Sequence, residues 1–165
     1  MSIFWNLTAA QWSELPHAFP QLRTLRIGTR TAGASDGWVA PVSQCTQLTS
    51  LKVHQQTLTD GQLQQLLTSL TRLETLELFE AQVDSTTSVN ALASAVTLTS
   101  LRWHCLLARN ADVDWLPLFP SLPLLRRLYL RVPASLRPPE DEGERQRAAL
   151  LARMPRLARV HFVVR

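Results

Sequence analysis

Apolar residues fall along this chain in one phrase, Leu-x-x-Leu-x-Leu, that occurs six times. It reads LRTLRI at 22–27, LTSLKV at 48–53, LETLEL at 73–78, LTSLRW at 98–103, LRRLYL at 125–130 and LARVHF at 157–162. The starting leucines lie 26, 25, 25, 27 and 32 residues apart. The first column is Leu22, Leu48, Leu73, Leu98, Leu125 and Leu157, and the fourth is Leu25, Leu51, Leu76, Leu101, Leu128 and Val160. The sixth is Ile27, Val53, Leu78, Trp103, Leu130 and Phe162. A further column, three residues ahead of each phrase, holds Phe19, Cys45, Leu70, Ala95, Leu122 and Met154. All 24 positions are apolar in a chain that is 45% apolar. Chance agreement is on the order of one in a hundred million, so accidental spacing is set aside. A fixed period of this length marks a stack of repeats. It predicts an α/β solenoid of about six repeats, with a parallel sheet on the concave side and helices or loops on the convex side. The strands are expected near 24–28, 50–54, 75–79, 100–104, 127–131 and 159–163.

Helical patterning fills the spaces between the phrases. Residues 8–19 carry Trp12, Leu15 and Phe19 at spacings of three and four. Residues 59–70 open with the cap candidates Thr59 and Asp60 and place Leu63, Leu66, Leu67 and Leu70 on one face. Residues 85–96 start at Ser85 and carry Val89, Leu92, Ala93 and Val96. A shorter helix is expected over 111–120, with Val113, Leu116 and Phe119 inward. In the last helix, over 139–153, Pro139 is expected first, and Ala148 and Leu151 face inward with Met154 just beyond. The segment 31–44 reads as irregular, anchored by Trp38. Pro20, Pro123 and Pro155 stand where a helix must stop before a strand begins. The chain reads as a single domain over 1–165. It has an N-terminal helix or cap over 1–21, repeats over 22–156 with a polar insertion at 137–147, and a terminal strand over 157–165.

Composition adds little against this pattern. The chain has 165 residues and a formal charge of +4, a mild basicity that does not by itself indicate nucleic acid. Its cysteines are Cys45 and Cys105. Cys45 falls in an inward column and reads as a buried thiol, which suits a reducing intracellular compartment such as the cytoplasm. The opening MSIFWNLTAAQW has neither a basic start nor a long apolar run, so a secretory signal is not expected. No stretch approaches the ~18 apolar residues of a membrane span, and no membrane partner is expected. Asn6-Leu7-Thr8 forms a glycosylation sequon that would be inert in such a compartment.

The six phrases resemble the strand motif of the leucine-rich repeat family, over essentially the whole chain. The period is similar to that of its ribonuclease-inhibitor-like and cysteine-containing subclasses. The family's Asn or Cys position is not kept, because Arg30, Gln56, Ala81, Leu106 and Pro133 stand there. The resemblance therefore implies a strand ladder without the asparagine ladder, and a role in gripping proteins.

Strand alternation then places three columns on the concave face. The third is Thr24, Ser50, Thr75, Ser100, Arg127 and Arg159. The fifth is Arg26, Lys52, Glu77, Arg102, Tyr129 and His161, and the seventh is Gly28, His54, Phe79, His104, Arg131 and Val163. Arg26, Lys52, Arg102, Arg127, Arg131 and Arg159 oppose one acid, Glu77, so the face carries +5 (six minus one). With His54, Phe79, His104, Tyr129 and His161 they form the candidate partner-binding set. Exposed sheet faces also carry such residues for solubility alone. No glycine-rich phosphate loop, CxxC pair or nucleophile elbow is present, so no enzyme and no cofactor are expected. His54 and His104 lie roughly 10 Å apart by strand spacing, too far for one zinc ion. Two classes of function stand: a protein-interaction scaffold for an acidic partner, possible within a larger complex, and a single-stranded RNA binder. A third option, the repeat portion of a ubiquitin-ligase substrate receptor, specialises the first.

Overall fold

A computed structural model of the chain describes residues 7–28, 36–83, 90–107, 119–132 and 140–164. The chain is α/β. Its strands are β1 (Thr24–Gly28), β2 (Ser50–His54), β3 (Thr57–Leu58), β4 (Thr75–Val83), β5 (Ser100–Leu107), β6 (Arg127–Val132) and β7 (Arg159–Val164). Its helices are α1 (Ala9–Ala18), α2 (Val39–Ser43), α3 (Asp60–Ser69) and α4 (Glu140–Arg153). The sheet runs β1-β2-β4-β5-β6-β7, all parallel, with short β3 beside the end of β4. Apart from β3, the strands are therefore neighbours in the order in which the chain makes them.

Two backbone devices recur with the apolar columns. The first is a turn. The amide of each starting leucine donates to the carbonyl three residues earlier, from Leu22 to Phe19 through Leu157 to Met154, at 2.9–3.1 Å in all six cases. The amide of that earlier residue in turn donates to the preceding helix, as in Leu70 to Leu66 and Met154 to Leu150. One apolar residue thus ends the helix and opens the turn. Pro20, Pro123 and Pro155 hold the second position of this turn, where the proline ring pre-sets the backbone and no amide is needed. The second device is a ladder at the strand entrances. The carbonyls of Arg23, Thr49, Glu74, Thr99 and Arg126 each accept two consecutive amides of the next strand, at 2.8–3.1 Å.

The interior follows from these constraints. First-, fourth- and sixth-column side chains from Leu22 to Leu157 form one cluster, against which Val160 packs, with Trp12 and Leu15 of α1, Trp38 of a 3-10 turn, Val42 of α2, Leu63, Leu66 and Leu67 of α3, and Leu150 of α4. One face of the sheet is thus covered by helices and the other is open. Thr8 and Thr59 close capping boxes with Gln11 and Gln62, which sets the first residue of α1 and of α3. Cys45 is buried, and that burial pushes its thiol pKa up.

Several expectations need correction. Phe19 is 39% exposed although its column partners are buried. It keeps the turn, but no strand among the described residues lies outside β1 to cover it. Val96 is 53% exposed because it occupies the second position of the turn, not a helix face. Ala93 is exposed as well, and only Leu92 of that trio is buried. At the end of α4 the inward pair is Leu150 and, one residue past the helix, Met154, whereas Ala148 and Leu151 are exposed. The segment expected to be irregular holds the 3-10 turn Asp36–Trp38 and α2. Part of the polar insertion, from Glu140 on, is helix.

β4 and β5 also run past their expected ends. The register slips between Phe79 and Ala81, so Glu80 is an extra residue in the ladder. At the vacant Asn/Cys position, Gln56 is buried and its amide donates to the Gln55 carbonyl at 3.0 Å. It closes its own loop, which Gln55 enters with φ of 53°. The expectations for 85–89, 111–118, Asn6, Arg30, Pro133 and Pro139 lie outside the described residues.

Two substitutions test this account. Leu76→Ala removes a fully buried side chain from the middle of the stack and should cost ~2–5 kcal/mol in chemical denaturation. Leu151→Ala should stay within about 0.5 kcal/mol. Val96→Pro places proline where three other repeats already hold it. It should be neutral or raise stability by up to about 1 kcal/mol in the same assay. A large loss would mean that the turn of this repeat differs from the others.

Candidate functional site

The open face is built from rows that cross the strands in register. Strand alternation turns every second residue outward, and the paired entrance amides hold each strand level with its neighbour. β1 and β2 show this directly, with buried and half-buried residues alternating along each. All eleven residues expected to bind a partner lie on these outward rows. Arg26, Lys52, His54, Phe79, Arg102, His104, Tyr129 and Arg131 are half-buried there, while Arg127, Arg159 and His161 are exposed.

The middle row runs Arg26, Lys52, Glu77, Arg102, Tyr129, His161. Glu77 sits between two cations and takes both. Its Oε1 lies 3.1 Å from Lys52 Nζ and 3.4 Å from Arg102 Nη1, and its side chain is only 15% exposed. Arg102 then lies over the Tyr129 ring, 4.7 Å from its centroid. Tyr129 stacks in turn on His161, with ring centroids 4.7 Å apart and planes 5° apart. Four consecutive strands are joined by these contacts from Lys52 to Tyr129, and β7 follows through His161. The column count treats Arg102 as one of six like cations, but Arg102 is engaged by Glu77 and Tyr129. Glu77 shares its one negative charge between Arg102 and Lys52, and the tyrosine ring covers the guanidinium plane.

The third row of the face behaves similarly in its centre. Phe79 stands between His54 and His104, with centroids 5.2 and 5.1 Å away and tilted planes. The two histidines are separated by this ring, and among the described residues no group of three His, Cys, Asp or Glu side chains converges as metal ligands.

The remaining row runs Thr24, Ser50, Thr75, Ser100, Arg127, Arg159. Here the chemistry changes at β6. Arg127 and Arg159 are register partners on neighbouring strands, both exposed. Neither forms an ion pair among the described residues. The hydroxyls of this row are also distinct from those one residue earlier. Thr49 and Thr99 spend theirs on the carbonyls of Arg23 and Glu74, at 3.1 and 3.2 Å. Ser50 and Ser100, next in sequence, face outward and make no side-chain hydrogen bond among the described residues.

Sequence reasoning treated Glu77 as a lone opposing charge and gave Ser100 no role. Register alone could have found both. Lys52, Glu77 and Arg102 are consecutive members of one column, and Ser100 directly precedes Arg127 in another.

No protein-family model matches the chain, and no curated protein matches it significantly. Among the described residues no helix is long and apolar enough to cross a membrane.

Glu77→Gln should expose how far the face is organised internally. It leaves two half-buried cations facing an amide, and should cost about 1–3 kcal/mol in thermal or urea unfolding. Lys52→Ala in the Glu77→Gln background should cost less than in the wild type, a non-additivity that a double-mutant cycle reads directly.

Proposed function

We propose that this chain is a leucine-rich repeat module that binds an acidic protein partner on its open sheet face, without catalysis of its own. The observation that carries the reading is the exposed pair Arg127 and Arg159. Two guanidinium groups lie on adjacent strands, ~4.8 Å apart at the backbone. Like charges placed directly opposite one another weaken a sheet, and no carboxylate among the described residues relieves them. In the centre of the same face Glu77 engages two cations, Lys52 and Arg102. A pair of arginines without an ion pair among the described residues, beside a row whose central cations are engaged by Glu77, is the pattern of a surface completed by something else. Arginine forks suit carboxylates in bidentate geometry, and the fixed Tyr129–His161 stack beside them adds ordered area at low entropic cost.

Protein is favoured over single-stranded RNA by the same stacks. RNA on a sheet uses open aromatic faces on which bases lie. Tyr129 has Arg102 and His161 against it, and Phe79 has His54 and His104. Bases would have to displace those side chains. A ubiquitin-ligase substrate receptor would use this face in the same way. A buried, unpaired thiol at Cys45 fits work in a reducing, intracellular compartment.

The test is an affinity capture with the wild type beside two charge-reversal variants. Arg127→Glu with Arg159→Glu should abolish or weaken capture of an acidic partner at least tenfold and leave the thermal midpoint unchanged. Arg23→Glu with Arg72→Glu, outside the outward rows, should have little effect. Equal losses from both pairs would reduce the interaction to diffuse charge attraction.

A further inference from the structure

We propose that Ser100, Arg127 and Arg159 form a phosphate site, and that the acidic partner is recognised through a phosphorylated serine or threonine. This rests on the acidic-partner reading and narrows it. The three residues are consecutive members of one cross-strand row, on β5, β6 and β7. Ser100 is half-buried, and the two arginines are exposed.

The argument is one of charge and of hydrogen-bond count. A carboxylate brings one negative charge and two oxygens. Placed against Arg127 and Arg159 it leaves one positive charge uncompensated. A phosphate ester brings about −1.5 to −2 and three acceptor oxygens. Two guanidinium forks can each take two oxygens with bidentate geometry. The Ser100 hydroxyl supplies one further donor from the adjacent strand. It has no acceptor of its own among the described residues, in contrast to Thr99 beside it, which is committed to the Glu74 carbonyl.

The surroundings favour the same occupant. Arg102 is drawn toward Glu77 and Tyr129, which leaves Arg127 and Arg159 as neighbouring guanidinium groups without an ion pair among the described residues. The Tyr129–His161 stack runs along one side of the pair, one outward row away. Toward β1 the row continues through the outward residues Thr75, Ser50 and Thr24. An extended peptide with its phosphate at Arg127 and Arg159 would lie across hydroxyl-bearing strands, which offer hydrogen bonds but no charge. That arrangement selects for the phosphate and tolerates varied flanking sequence.

The experiment is fluorescence anisotropy with the intact chain and degenerate peptide sets that differ at one central residue: phosphoserine, serine or glutamate. A single-stranded oligouridine serves as a fourth probe. The phosphoserine set should bind at least roughly tenfold more tightly than either other set. Arg127→Gln and Arg159→Gln should each lower that affinity on the order of tenfold, and Ser100→Ala should lower it severalfold. Arg127→Lys keeps the charge without the fork, so a phosphate site loses affinity while diffuse attraction does not. Melting curves of each variant separate lost binding from lost folding. Equal binding of the glutamate and phosphoserine sets, both weakened by Arg127→Gln, would overturn the phosphate site and leave the acidic-partner reading standing. Binding of no peptide set, or binding indifferent to both arginines, would overturn both. Preference for oligouridine would do the same in favour of nucleic acid.

Discussion

Each junction between consecutive long strands begins at one backbone oxygen. The carbonyls of Arg23, Thr49, Glu74, Thr99 and Arg126 each draw two amides of the next strand onto themselves. Because those amides belong to the second and third residues of the phrase, the next strand cannot slip by one residue without losing both bonds. A slip would also exchange its two faces, putting leucine into water and arginine into the core. Register, burial and the outward rows all rest on this junction. The turn before it, closed by the starting leucine on the residue three earlier, delivers the chain to it in the same orientation each time.

The strands were legible because they answer to a period that packing enforces. Every expected strand start coincides with an observed one, from Thr24 to Arg159. The cap Thr59 was readable for a local reason, since a hydroxyl and a glutamine three residues later satisfy each other, and the same box at Thr8 with Gln11 went unread. What failed was inference by analogy between repeats. Phe19 shares its column with Leu70 but lacks a neighbour, and no column can show that. Val96 reads as a helix-face residue only when the turn is left out, because the turn is set by backbone hydrogen bonds that the apolar spacing does not show. The bulge at Glu80 carries no glycine or proline to announce it, and follows from how β4 and β5 continue past the outward rows.

The candidate site was half legible. Its membership could be read from alternation, but its electrostatics could not, because the column count treated each side chain as independent. Glu77 is one acid among six cations in sequence, yet it occupies the place between Lys52 and Arg102 where it serves two of them. The face is therefore unevenly charged. Its centre is tied together by ion pairs and ring contacts, and Arg127 and Arg159, without an ion pair among the described residues, lie on β6 and β7. Net charge summed over a surface hides this difference, and the difference decides where a ligand gains from arriving.

The order of the strands has a kinetic side. Each long strand pairs with the one made about 25 residues earlier, so every junction closes a loop of similar length and similar entropic cost. No closure depends on bringing distant ends of the chain together. Structure can start at any junction and spread to both sides as a zipper does. The most favourable starting point is β4 with β5, the two longest strands, which are also joined by the Glu77–Arg102 and Phe79–His104 contacts. Opening should run the other way. The outer strands would exchange their amide protons first and the central pair last, so the sheet is held from its middle outward.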